Sequence, residues 1–365
     1  MPVATAQRTF NFSAGPAVLP EPVLRQAQEA IWNLAGSGIG VLEHSHRGPA
    51  ISKVLAEAEA DCRALAGISD DYHVLFLQGG ATLQFTMLPM NFLDADRTAD
   101  YLDTGIWTNK AIKDARLHGN VNVAFEGEAC GYDHVPCPTE LTLGDDAAYT
   151  YYCSNNTIYG TQYRDHPVAR TPLICDACSD IFSRPIDVAA HSLIFAGAQK
   201  NLGPAGCTLV IVRKDFLGRA KAGVPAILDY RRHAEQGSRL NTPPVFGFYV
   251  MGLVFKWILD QGGLEAVARH NEAKAKILYD AIDGSSGFYR TVARPDSRSL
   301  MNVTFRTPDD ALDTLFVQQA ADRGMSGLKG HRSAGGLRAS IYNAFPVAGC
   351  EALASLMGDF ARAGA

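Results

Sequence analysis

A single lysine, Lys200, stands among small residues in Gly197-Ala198-Gln199-Lys200-Asn201-Leu202-Gly203-Pro204-Ala205-Gly206, between two apolar runs, Leu193 to Ala196 and Thr208 to Val212. Short apolar runs joined by a Gly/Pro-rich turn read as buried strands. The lysine therefore sits at the mouth of a sheet, where small neighbours admit close approach, and an amine so placed can add to a carbonyl carbon. Gly79-Gly80-Ala81-Thr82 links the strand pattern His73 to Gln78 to a helix carrying Leu83, Phe85, Met87 and Leu88. A glycine-rich turn entering a helix offers backbone N–H groups and the helix dipole to a phosphate; the ending of a Walker loop is missing. Asp176 ends the apolar run Leu173 to Cys175, Thr157 follows the run Tyr149 to Cys153, and Trp107 follows Asp100 to Asp103. Two basic loops far apart in the chain, Glu43-His44-Ser45-His46-Arg47 and Gly330-His331-Arg332 through Arg338, could hold anions, arginine forks suiting carboxylate and phosphate.

The elements that must position these residues alternate. Helical patterns at 21–34 and around Val54 to Leu65 precede the first strand, and β and α patterns follow one another to Val212. Strands with distinctive residues at their carboxyl ends describe a doubly wound α/β sheet, and ligands bind outside those ends. A long helix from Val245 to Gln261 stops at Gly262-Gly263, the best domain boundary. Beyond it the order helix, strand, helix, strand, helix describes a small α+β domain. The organisation expected is a large domain at 16–262 and a small one formed by 1–15 with 263–365.

Taken singly, Asp176 is an ordinary cap and Trp107 an ordinary core residue. Jointly, a lysine on a tight loop, an aspartate, an aromatic and a phosphate cradle specify pyridoxal phosphate: the lysine forms a Schiff base, the aspartate pairs with the pyridine nitrogen, and the aromatic stacks on the ring. The 365 residues suffice for two domains, and 47% hydrophobic with 19% charged residues describes a folded globular protein. A net charge of −5 without a Lys/Arg-rich run argues against nucleic acid or an anionic membrane surface. Residues 1–10 lack the apolar core of a signal peptide and no run is long enough to span a bilayer, so a cytoplasmic protein is expected. The eight cysteines are scattered, unlike a secreted disulfide framework. Cys175-Asp176-Ala177-Cys178 is a CxxC, the basis of a rival reading as a redox or metal module. No second CxxC or histidine pair completes a zinc set, and the first cysteine ends an apolar run instead of opening a helix, so buried thiols and no metal are expected.

Asn11 to Pro16, Ser45-His46-Arg47-Gly48, Asp176 with Ser183-Arg184-Pro185, Gly197 to Asn201, Asn241-Thr242-Pro243-Pro244, and Gly330-His331-Arg332 through Arg338 to Ala344 run in one order along nearly the whole chain. Together they resemble the phosphoserine aminotransferases, class V homodimers of fold type I. The resemblance implies that Lys200 carries the cofactor and acts as base, that Asp176 pairs with the ring nitrogen, and that Trp107 stacks on the ring. Thr157 would bond the ring's 3′ oxygen, and Gly80, Ala81, Thr82 and Gln199 would hold the phosphate with Asn241 and Thr242 from the partner subunit. Arg338 would take the substrate α-carboxylate; His46, Arg47, His331 and Arg332 would line the pocket for its phosphate or distal carboxylate, some across the dimer. The implied reaction exchanges an amino group between O-phospho-L-serine and 2-oxoglutarate in serine synthesis, and some relatives also accept 4-phosphohydroxythreonine for pyridoxine synthesis. Two departures stand out: Ala81-Thr82 replaces an arginine found in one branch, and Asn156 replaces the glutamate of an Asn-Glu-Thr-Ile motif. Rival readings within the fold are serine- or alanine-glyoxylate transamination, which would leave the basic residues little anion to bind, and a cysteine desulfurase, which needs a mobile-loop cysteine that 326–340 lacks.

Overall fold

The structure, a computed structural model, describes residues 8–364; the expected domain assignment of residues 1–7 and 365 lies outside them. The chain runs β1 (Phe10–Asn11), α1 (Glu21–Trp32), α2 (Pro49–Ala66), β2 (Tyr72–Gln78), α3 (Ala81–Phe92), β3 (Thr98–Asp103), α4 (Ile106–Ala115) and β4 (Asn120–Glu126). It continues through β5 (Thr150–Cys153), β6 (Leu173–Asp176), β7 (Leu193–Gly197), β8 (Cys207–Arg213), α5 (Lys214–Leu217), α6 (Tyr230–Glu235) and α7 (Val245–Asp260). The last elements are α8 (Gly263–Asp283), β9 (Asn302–Phe305), α9 (Asp310–Asp322), β10 (Met325–Ser326), β11 (Leu337–Ser340) and α10 (Val347–Gly364).

Seven strands form the central sheet in the order β2-β8-β7-β6-β5-β3-β4. All neighbours are parallel except β8, which runs antiparallel to both β2 and β7. The sheet is α/β and mostly parallel, as the sequence predicts, because both faces are covered: β5 to β7 are buried at every position, which requires apolar runs on both faces. Side chains alternate between faces. Tyr152, Cys175, Ile194 and Ala196 pack with α1, α2 and α7 on one side. Tyr151, Ile174, Leu193 and Phe195 pack with α3 to α6 on the other. Helix α7 is apolar around most of its circumference because it is wedged between the sheet and α2. A third core is built by Phe12 together with α8, β9, β11 and α10, through Leu278, Val303, Phe305, Ile341 and Leu353. There β1 pairs in parallel with β10, tying the first described residues to the last hundred.

His191 shows how tightly the sheet's end is closed. Its Nδ1–H donates to the Asp187 carbonyl at 2.7 Å and its Nε2 accepts from the Tyr152 hydroxyl at 2.7 Å. Burial pulls this imidazole down to about 4, so the folded protein holds it neutral while the unfolded chain protonates it near 6.5. Below pH 6.5 the unfolded state thus binds the additional proton, and stability falls with acidification until the folded group titrates near 4. Between pH 6.5 and pH 4.5, chemical denaturation should show the wild type losing about 2–3 kcal/mol more than His191→Gln, at about 1.4 kcal/mol per unit of pKa difference.

Candidate active site

Lys200 lies in the turn between β7 and β8, and its Nζ donates to Thr157 Oγ1 at 2.8 Å. The same amine is 5.8 Å from the Trp107 ring centroid. The carboxyl ends of β5, β6 and β7 and the N-terminus of α3 converge on a cavity of about 230 Å³. Gly80, Ala81, Thr82, Trp107, Thr157, Asp176, Gln199 and Lys200 line it, joined by Cys153, Asn155, Cys178 and Ser179. Strand register explains the convergence: β5 and β6 end level, Cys153 beside Asp176, and β7 passes Asp176 at Phe195 and runs on to Gly197, just short of Lys200.

Asp176 is 3% exposed. Its Oδ1 accepts the backbone N–H of Cys178 at 3.0 Å and its Oδ2 the Tyr151 hydroxyl at 3.3 Å. Burial pushes its pKa up from the usual carboxylate range, while Cys178, the Lys200 charge and Tyr151 pull it part of the way back. Gly80 precedes α3, no side chain caps that helix, and a Cβ built at Gly80 meets nothing within 4 Å. Free first-turn N–H groups facing open space are what an anion needs.

Trp107 is set by the first turn of α4. The Asp103 carboxylate, at the end of β3, accepts from Gly105 N at 3.1 Å, Thr108 Oγ1 at 2.8 Å and Asn109 Nδ2 at 3.0 Å. Gly105 has φ of +149°, and a Cβ there would collide with the Asn156 amide. Asn156 in turn accepts from Ile158 N at 2.9 Å and Tyr159 N at 3.0 Å and donates to the Thr104 carbonyl. A carboxylate could not make that donation, so asparagine at 156 joins the Thr157 loop to the Trp107 loop.

The remaining expected residues fall in two groups. Arg338, on β11, donates to the Thr157 carbonyl at 3.2 Å, while its buried Nε has no partner among the described residues. It thus stands beside the loop that holds Lys200. His331 and Arg332 are on the loop before it and do not line the cavity; His331 is lowered by burial and then by Arg338, Arg332 and Lys110. His46 and Thr242 line a separate depression of about 610 Å³ with Leu42, Pro243 and Phe246. Arg47 reaches the Arg239 carbonyl at 3.5 Å, and Asn241 donates to Gln78 Oε1 at 2.8 Å. Within one chain, His46, Arg47, Asn241 and Thr242 are not brought to the Lys200 cavity.

Sequence reasoning missed Cys153, Asn155, Ser179 and Lys110. The Lys110 amine lies 4.6 Å from the Trp107 centroid, and its spacing of three from Trp107 on a helix was the available signal. Cys175 and Cys178 are both free and buried, with Cys175 in the core on the opposite face of the sheet from Cys178. Away from the cavity, ligand atoms of Cys130, Asp133 and His134 lie within 4.8 Å of one another, with Asp133 paired to Arg294 at 2.9 Å.

A reactive lysine, a buried carboxylate, an indole and a helix-end anion cradle at the carboxyl edge of such a sheet define a pyridoxal-phosphate enzyme, and residues 9–353 match the family Aminotransferase class-V. The chain belongs to the class-V aminotransferases. It is 51% identical over 353 residues to the phosphoserine aminotransferase of Laribacter hongkongensis, covering 97% of this chain and 98% of that one. The structure of phosphoserine aminotransferase from Bacillus circulans subsp. alkalophilus superimposes with a TM-score of 0.96 at 48% identity, covering 99% of this chain and 100% of that one. The pyridoxal-phosphate-bound phosphoserine aminotransferase from Trichomonas vaginalis gives 0.92 at 39% identity over 96% of this chain and 100% of that one. Within the class, the chain belongs to the phosphoserine aminotransferase family, and its cofactor is pyridoxal phosphate.

Gly105→Ala should destabilise the protein by about 1–3 kcal/mol, through a strained φ and displacement of Asn156. A shift of the denaturant midpoint with an unchanged slope would measure it.

Proposed function

We propose that the chain reversibly transfers an amino group between O-phospho-L-serine and 2-oxoglutarate, giving 3-phosphohydroxypyruvate and L-glutamate, in L-serine biosynthesis. 4-Phosphohydroxy-L-threonine, an intermediate of pyridoxine biosynthesis with the same phosphate and amino-acid ends, belongs to the same substrate class. The observation that carries the reading is that Lys200 and Arg338, from separate elements, both bond to Thr157, which lines the cavity. That places an amine base and a carboxylate-binding fork side by side.

Pyridoxal phosphate, when bound, supplies the aldehyde that accepts the amino group and the ring that takes up the electron pair freed at the substrate's α carbon. In this assignment Lys200 binds the cofactor and takes the α proton. Asp176 pairs with the ring nitrogen and Trp107 covers the ring face. The Gly80-Ala81-Thr82 amides and Gln199 hold the cofactor phosphate, and Thr157 holds the ring oxygen. Arg338 grips the substrate α-carboxylate, a role its unpartnered buried Nε suits.

His46, Arg47, Asn241 and Thr242 are assigned to the site of a second subunit, with His331 and Arg332 completing the recognition of phosphate or distal carboxylate. A homodimer is supported by exposed apolar side chains: Leu42, which lines the His46 depression, is 62% exposed, and Trp32 at the end of α1 is 86% exposed. The proposal includes a large domain at 16–262 and a small domain from 1–15 and 263–365. It also includes a cytoplasmic location, which suits eight cysteines that are all free.

The test is the visible spectrum of the purified holoenzyme. The yellow colour should bleach with O-phospho-L-serine and return with 2-oxoglutarate; bleaching only with an unphosphorylated amino acid would overturn the substrate assignment. Lys200→Ala should lower turnover by at least about 10²–10⁴-fold and abolish that colour cycle.

A further inference from the structure

We propose that Tyr151 is a positioning residue for the transamination, its hydroxyl holding the Asp176 carboxylate ionised and aimed at the cofactor's ring nitrogen. The inference rests on the assignment of Asp176 as the partner of that nitrogen.

The argument starts from the sheet. Tyr151 and Asp176 belong to neighbouring strands β5 and β6, and both side chains face the α3 and α4 side of the sheet, Tyr151 opposite Ile174. The tyrosine ring is 0% exposed and stacks on Tyr101 at 4.8 Å, with Phe195 at 6.3 Å. These are apolar contacts that a phenyl ring would make equally well. The hydroxyl is different, because a buried O–H needs an acceptor, and the acceptor here is Asp176 Oδ2.

The charged and titratable groups facing Asp176 are few. They are Lys200 in the turn after β7, Tyr151 and Cys153 on β5, and Cys178 two residues beyond the aspartate; Cys175 precedes it but points to the opposite face of the sheet. The Lys200 amine is committed to chemistry. Cys178 bonds the carboxylate through both its side chain and its backbone N–H, the latter on Oδ1 at 3.0 Å, while its sulfur accepts from Gly197 N at 3.0 Å. The thiols of Cys153, Cys175 and Cys178 are pushed up by burial and stay neutral. Tyr151 is thus the side chain that steadies the second carboxylate oxygen and can be altered without touching the backbone or the reactive lysine. The Tyr151 hydroxyl holds Oδ2 from β5 and Cys178 holds the carboxylate from its own turn, so the group is fixed from two sides.

Removing the hydroxyl favours the neutral acid, so the ring nitrogen loses an anionic partner and the cofactor binds less tightly. The experiment titrates wild-type, Tyr151→Phe and Tyr101→Phe apoproteins with pyridoxal phosphate, and separately with its 1-deaza analogue, which lacks the ring nitrogen. Tryptophan fluorescence quenching reads the affinity. Tyr101, whose hydroxyl meets Tyr149 at 2.8 Å, is the packing control. Tyr151→Phe should weaken pyridoxal phosphate about tenfold, the scale of a hydrogen bond to a charge, while Tyr101→Phe binds it like the wild type. The deaza analogue should bind Tyr151→Phe and wild type equally. The apoproteins should melt together, and the acid limb of kcat/KM should move to higher pH in Tyr151→Phe.

An unchanged affinity, an equal loss for both ligands, or a lower melting temperature of the Tyr151→Phe apoprotein would overturn the proposal. Failure of the wild-type apoprotein to bind pyridoxal phosphate would instead overturn the assignment of Asp176, and the inference with it.

Discussion

The cavity depends on keeping one carboxylate charged out of water. Moving an unpaired carboxylate into a protein interior costs several kcal/mol even after relaxation, and Asp176 is nearly inaccessible to solvent. Three features compensate: a backbone N–H from its own turn, a hydroxyl from the adjacent strand, and the field of Lys200. The hydroxyl and the lysine are brought there by the parallel register of β5, β6 and β7, which sets Cys153 beside Asp176 and Asp176 beside Phe195. The α3 N-terminus supplies the matching positive pole for a phosphate. The fold thus arranges a negative and a positive end around one small volume.

A second constraint holds the third core against this volume. Asn201, next to Lys200, accepts the Asn343 N–H at 3.0 Å, and Asn343 donates to the Phe182 carbonyl at 2.9 Å. Asn271 on α8 bridges the Ser183 carbonyl at 2.9 Å and Asn343 Oδ1 at 2.8 Å. Below them Lys274 is 0% exposed and donates to the carbonyls of Ile341 at 2.9 Å and Tyr342 at 2.6 Å, its ammonium pulled down to about 7 by burial. This belt of amides fastens the segment after β11 to the segment beside Lys200. The distance from Arg338 to the reactive amine is therefore fixed by hydrogen bonds that are far from solvent and directional.

Much of the architecture was legible because the signals were local. The Gly-rich turn before α3, the small residues around Lys200 and the Gly262-Gly263 stop are written in consecutive residues, and the observed elements begin and end within a few positions of them. Eight of the ten expected cofactor residues line one cavity. Asn241 and Thr242 do not, and neither do the basic residues of the first loop: within the chain Asn241 is turned to Gln78, and His46 and Thr242 line a separate depression. Asn155 and Ser179 were invisible for another reason: they act through a buried amide contact at 2.8 Å between distant loops, and asparagine or serine in a loop is unremarkable in itself. The exchange of glutamate for Asn156 looked like a loss of charge. In the fold it is the gain of a donor, which only the position of the Thr104 carbonyl reveals.

The antiparallel strand β8 has a consequence for how the catalytic lysine comes into place. Parallel neighbours are joined by long crossovers, but Lys200 sits on a hairpin, with Gly197 opposite Thr208 across the shortest connection in the sheet. Closing a short loop loses the least chain entropy and needs no distant segment. The lysine turn can therefore acquire its shape from local pairing alone, before β3, β5 and β6 deliver the walls around it.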